Sequence, residues 1–122
     1  MDIRIRAKDF DLTPAIETYV QQRVGTFEKM LGADAGDTRC EIDLSRSGGA
    51  QHHSDYLWLA EIRIIPPTGT RIIATNQEAT VNAAIDAAKD EAMVQLRREK
   101  KLHVRVMRKT GAAVKRWLRR EK

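Results

Sequence analysis

Apolar and polar positions alternate from the first residues. Ile3, Ile5 and Ala7 share one face of Asp2–Lys8 and Arg4, Arg6 and Lys8 the other, the period-two pattern of a half-buried strand. Asp11-Leu12-Thr13-Pro14 then reads as a helix entrance, with Thr13 as N-cap and Pro14 at the first helical position. Ile16, Tyr19, Val20, Val24, Phe27, Met30 and Leu31 recur at helical spacing and predict one helix that ends at Gly32, where a left-handed residue suits a C-terminus. Residues 39–45 alternate again, with Cys40, Ile42 and Leu44 on one face. Residues 46–55 hold Ser, Gly-Gly, Gln and two His and predict a mobile loop. In residues 56–65, Tyr56, Trp58, Ala60, Ile62 and Ile64 share the core face of a longer strand. Pro66-Pro67-Thr68-Gly69 turns it back into a return strand over 70–75.

Asn76 reads as the cap of a second long helix whose buried stripe is Val81, Ala84, Ile85, Ala88, Ala92 and Leu96. Glu78 and Asp86 near its start and Arg97, Arg98, Lys100 and Lys101 near its end would complement the helix dipole. Beyond Leu102 the pattern weakens. Val104, Val106 and Met107 alternate with Arg105, as an edge strand or a contact with another copy would, which makes residues 103–118 a candidate for weak homo-oligomerisation. Gly111 interrupts, and residues 112–120 predict a short basic helix carrying Val114, Trp117 and Leu118. The expected fold is α+β: a two-layer β-α-β-β-β-α sandwich with a four-stranded mixed sheet and two helices on one face, similar to a double-stranded RNA-binding domain. Strands one and two should be parallel and the rest an antiparallel meander. Residues 1–102 form the expected domain and 103–122 a basic tail.

Charge sharpens this picture. Of the chain's 122 residues, 97–122 hold twelve Lys or Arg against two acids, while the preceding residues hold ten against fifteen. A chain sorted in this way has one end suited to a polyanion, with nucleic acid the commonest such partner and an anionic membrane surface second. No apolar run approaches the ~20 residues of a membrane span, and no membrane is expected as a partner. Cys40 is the sole cysteine, so no intramolecular disulfide forms and a reducing, cytoplasmic setting is expected. His52-His53 and the distant His103 match no zinc spacing, no carboxylates are paired for acid–base work, and Ser45 and Ser47 lack a nucleophile-elbow context. Neither an enzyme nor a cofactor is expected.

Asp11-Leu12-Thr13-Pro14-Ala15-Ile16 opening helix one, and Ala83-Ala84-Ile85-Asp86 followed by Gln95-Leu96 and a basic run, carry a resemblance. Over about residues 1–102 the chain resembles the ribosome hibernation-promoting factor and ribosome-associated translation inhibitor family, as a short form without the extra C-terminal dimerisation domain. The resemblance implies a cytoplasmic protein that binds the small (30S) ribosomal subunit at the mRNA and tRNA channel. It would contact 16S rRNA through basic faces of both helices, block translation under stress, and act on 70S or 100S ribosomes. Relatives commonly carry cations where this chain has Thr26, Glu91 and Val94, and an aromatic where it has Asn82.

The candidate rRNA-binding residues are Arg23, Lys29, Lys89, Arg97, Arg98, Lys100, Lys101, Arg105, Arg108 and Lys109. A surface that neutralises roughly 6–10 phosphates loses about 10³–10⁵ in affinity between 50 and 200 mM salt. Two rival readings remain at the level of sequence. A free-standing double-stranded RNA binder would need cations at the start of its last helix, where Glu78 stands and no Lys or Arg occurs before Lys89. An oligomerising or membrane-surface adaptor would use the tail amphipathically, with Trp117 among its cations.

Overall fold

The computed structural model describes residues 1–46 and 57–120, with 103–120 described by backbone alone. Four strands, β1 (Asp2–Lys8), β2 (Arg39–Arg46), β3 (Trp58–Ile65) and β4 (Ile72–Glu78), form one sheet in the order β1-β2-β3-β4. β1 pairs parallel with β2, Ile5 opposite Ile42, and the other pairings are antiparallel, with Ile42 opposite Ile62 and Ile62 opposite Ala74. Three helices, α1 (Pro14–Val24), α2 (Phe27–Leu31) and α3 (Val81–Arg120), accompany the sheet. The α+β class, the parallel first pair and the meander agree with the sequence pattern.

Alternation along each strand puts Cys40, Ile42, Leu44, Ala60, Ile62, Ile64, Ile72 and Ala74 in the core. Val20, Val24 and Phe27 from α1 and α2, and Ala84, Ile85, Ala88, Ala92 and Leu96 from α3, close over them. Trp58 joins this side, edge-on to Phe10 with ring centroids 5.0 Å apart, so the indole is a packing group. Thr38 is the one fully buried polar residue among those described. Its hydroxyl donates to Asp34 O (2.6 Å), its N–H donates to Ala35 O (3.3 Å), and its carbonyl accepts from Asp2 N (2.9 Å). Every polar group is thus matched, and β1 is tied to the entrance of β2.

Four expectations are corrected. Helix one is not continuous: Thr26 Oγ1 donates back to Arg23 O (2.8 Å), and the chain re-forms as α2 before Gly32, at φ 59°, ends it. A hydroxyl bonded to a carbonyl three residues back competes with the helical ladder. Asn76 does not cap the second helix, because β4 runs on to Glu78. Asn76 Nδ2 instead donates to Glu91 Oε2 (2.8 Å), and the cap is Thr80, whose Oγ1 accepts from Ala83 N (3.1 Å). Glu78 therefore lies in a strand, and the first turn of α3 carries no acid. Finally, α3 stops neither at Leu102 nor at Gly111 but runs 40 residues without a break, so Val104, Val106 and Met107 lie on a helix and add no edge strand. A Gly inside a helix costs only about 1 kcal/mol, which strong helix formers on either side outweigh. The predicted loop with His52 and His53, and Tyr56 at the expected start of the third strand, fall in residues 47–56 apart from Arg46 and lie outside the described residues.

Burial, reinforced by neighbouring Glu41, raises the Cys40 thiol from its ordinary 9.0 to about 12. The unfolded chain therefore releases this proton at lower pH than the folded one, and the contribution of Cys40 to stability falls between pH 9.0 and about 12. A thiol reagent at pH 8 should leave the native protein unmodified and label it fully in denaturant; rapid native labelling would contradict this burial.

Candidate nucleic-acid interface

The open face of the sheet carries most of the body's ion pairs. Arg6 reaches Glu41 and Asp43 (both 3.2 Å), and Arg63 reaches Asp43 (2.8 Å), Glu41 (3.3 Å) and Glu61 (3.3 Å). Asp43 Oδ1 accepts no hydrogen bond, since Arg6 Nε lies near it but out of line. This face is a lattice of mutually satisfied charges with a strong acidic component. A polyanion gains little there. The helical side is different.

At the α1–α3 contact, Tyr19 Oη donates to Asp86 (2.7 and 2.8 Å to its two oxygens) and accepts from Arg23 Nη2 (3.1 Å). Arg23 Nε lies 3.1 Å from Asp86, and its guanidinium stacks 4.7 Å from the Tyr19 ring centroid. The Tyr19 hydrogen bond, then the Asp86 charge, raise the guanidinium's pKa above its already high value. Arg23 is thus half of a pinned ion pair that ties α1 to α3. Lys89 is half-buried and pairs with Asp90 (3.4 Å), and Lys29 stands apart on α2.

Arg97, Arg98 and Lys101 are exposed on α3 and make no ion pair among the described residues. At 100° per residue, they and positions 105, 108 and 109 fall within an arc of roughly 120° on the side of α3 away from buried Ala88, Ala92 and Leu96. Lys100 falls off this row. With Leu96, Leu102, Met30, Leu31 and Ile72 it lines a cavity of about 480 Å³ beside the β3–β4 turn. The structure therefore aligns six of the ten candidate cations and separates Arg23, Lys29, Lys89 and Lys100 from them. Sequence reasoning left Lys115, Arg116, Arg119 and Arg120 out of the site because it broke the helix. Seven-residue steps from Arg108 and Lys109 to Lys115 and Arg116, then four-residue steps to Arg119 and Arg120, were the signal that continues the row.

Two departures from the family pattern gain structural reasons. Glu91 accepts from Asn76 and lies 3.5 Å from Gln95 Nε2, which also donates to Ile73 O (3.0 Å) on the open edge of β4. Thr26 supplies the hydroxyl that divides α1 from α2.

Residues 3–103 match the family described as Sigma 54 modulation protein / S30EA ribosomal protein. The chain belongs to the S30EA family. Membership makes it a ribosome-associated factor and bears out the resemblance to hibernation-promoting proteins. The fold is shared with the Protein Y N-terminal domain of Thermus thermophilus (24% identity, TM-score 0.63, covering 80% of this chain and 98% of that one). It is shared also with a ribosomal subunit interface protein from Coxiella burnetii (14% identity, TM-score 0.64, covering 83% and 99%). No curated protein matches the chain. Among the described residues of this S30EA protein, no group of His, Cys, Asp or Glu could hold a metal ion.

The Tyr19 hydroxyl bridges Arg23 and Asp86, so Tyr19→Phe should cost about 0.5–1.5 kcal/mol in a urea titration. An unchanged midpoint would remove that bridge from the α1–α3 contact.

Proposed function

We propose that this S30EA protein binds the small ribosomal subunit through the outward row of cations on α3, laid along 16S rRNA phosphates. The body of residues 1–102 then occupies space that mRNA or tRNA needs, and translation stops by occlusion, with no bond made or broken. The observation that carries this reading is the start of that row, Arg97, Arg98 and Lys101, which are exposed and make no ion pair among the described residues. Glu41, Asp43 and Glu61 are spent elsewhere, on the opposite face of the sheet, and Asp86 is spent against Arg23. Family membership supports the ribosomal partner. A cytoplasmic location and a role in hibernation under stress accompany the same reading. Arg23 enters as a positioning residue, since its charge already faces Asp86.

Charge along a helix, facing a phosphate backbone, binds by releasing counterions. Replacing Arg97, Arg98 and Lys101 together by Ala should release the chain from purified 30S particles at 50 mM salt, while its circular dichroism stays that of the parent. Sucrose-gradient sedimentation reads the result. A triple variant that still travels with the subunit, or a parent whose retention ignores salt between 50 and 200 mM, would refute this interface.

A further inference from the structure

The unbroken course of α3 changes the meaning of its last turns. Residues 103–120 hold seven Lys or Arg and no acid. On a helix of 3.6 residues per turn these seven positions fall within roughly 140° of arc. Val104, Val106, Met107, Val114, Trp117 and Leu118 fall within the opposite ~160°. The apolar arc overlaps the angular position of Leu96, so it continues the stripe by which α3 is buried on the sheet. The family match ends at residue 103 and leaves this extension outside it.

Three partners could meet such a helix. RNA satisfies the cationic arc alone and gives no reason for six apolar positions to be sorted away from it. A second copy would cover the apolar arc but would bring together two extensions that each carry seven positive charges. An arc near half the circumference is also wider than the a/d seam of a two-stranded coil. A bilayer with anionic headgroups satisfies both arcs at once: phosphates meet Lys and Arg, and the acyl boundary takes the aliphatic groups and the indole. No helix among the described residues is long and apolar enough to cross a membrane, so the fitting geometry is one that lies along the surface.

We propose that residues 103–120 of α3 form an interfacial helix for anionic lipid bilayers, specified by cationic and apolar residues segregated on one uninterrupted helix. The sequence-based expectation of no membrane partner rested on the lack of a run long enough to span, which a helix lying along the surface does not need. The lipid-facing role goes beyond the ribosomal reading, which begins from Arg97, Arg98 and Lys101.

Flotation of the full chain with vesicles of phosphatidylcholine containing phosphatidylglycerol, against phosphatidylcholine alone, tests the proposal. The chain should float with the first and stay behind with the second. Val114→Ser with Leu118→Ser keeps every charge and should lower the partition coefficient roughly tenfold or more. In a Trp58→Phe chain the sole indole is Trp117, and its emission should shift to the blue on the anionic vesicles. No flotation, equal flotation with both vesicles, a double variant that floats like its parent, or an unshifted indole would overturn the proposal. So would a dimer in sedimentation equilibrium that the double variant abolishes, because a second copy would then cover the apolar arc. Retention of the double variant on 30S particles reads the ribosomal interface separately, so one proposal can fail without the other.

Discussion

The close seat of α3 on the sheet decides the rest of the structure. Ala84, Ala88 and Ala92 are fully buried against β3 and β4, and small side chains let the helix backbone approach the strands. Once that stripe is fixed, the rotation of every later turn is fixed too. Arg97, Arg98 and Lys101 are then exposed on the side away from the sheet, without ion pairs among the described residues. Gln95 and Glu91 reinforce this seat from the flank by bonding to Ile73 O and Asn76 on the exposed edge of β4. The same two side chains occupy backbone and side-chain groups that another strand could otherwise pair with.

Charge is distributed by layer as well as by position along the chain. The sheet's outer face holds Glu41, Asp43 and Glu61 with Arg6 and Arg63. The helical layer holds Asp86 with Arg23 near its middle and unopposed cations at its far end. A polyanion approaching at random is attracted to one end of one layer, which orients the encounter before any contact forms.

The sequence revealed the strands well because their periods of two are undisturbed: Cys40, Ile42 and Leu44, or Ala60, Ile62 and Ile64, could face only one way. Helix boundaries were harder to read where a polar side chain had two plausible partners. Asn76 is a good cap by type, but its amide was worth more to Glu91 across the β4–α3 contact, and Thr80 took the cap. Thr26 looked like an ordinary helical position until its hydroxyl found Arg23 O. Arg23 was legible as a surface cation of α1, whereas its partner Asp86 lies far along the chain and no local pattern joins them. The cationic row was countable from the sequence but not geometrically interpretable, because a weakening of the apolar period after Leu102 looks the same whether a helix stops or leaves its support.

A helix of 40 residues is about 60 Å long at 1.5 Å per residue, and its last eighteen residues account for about 27 Å of that. α3 is therefore a rod more than twice as long as any strand of the head it is seated on. Contacts made by the head and by the last turns of the rod would be spaced by its length. Inserting or deleting residues along the rod would alter both the spacing and, by 100° per residue, the direction in which its tip faces.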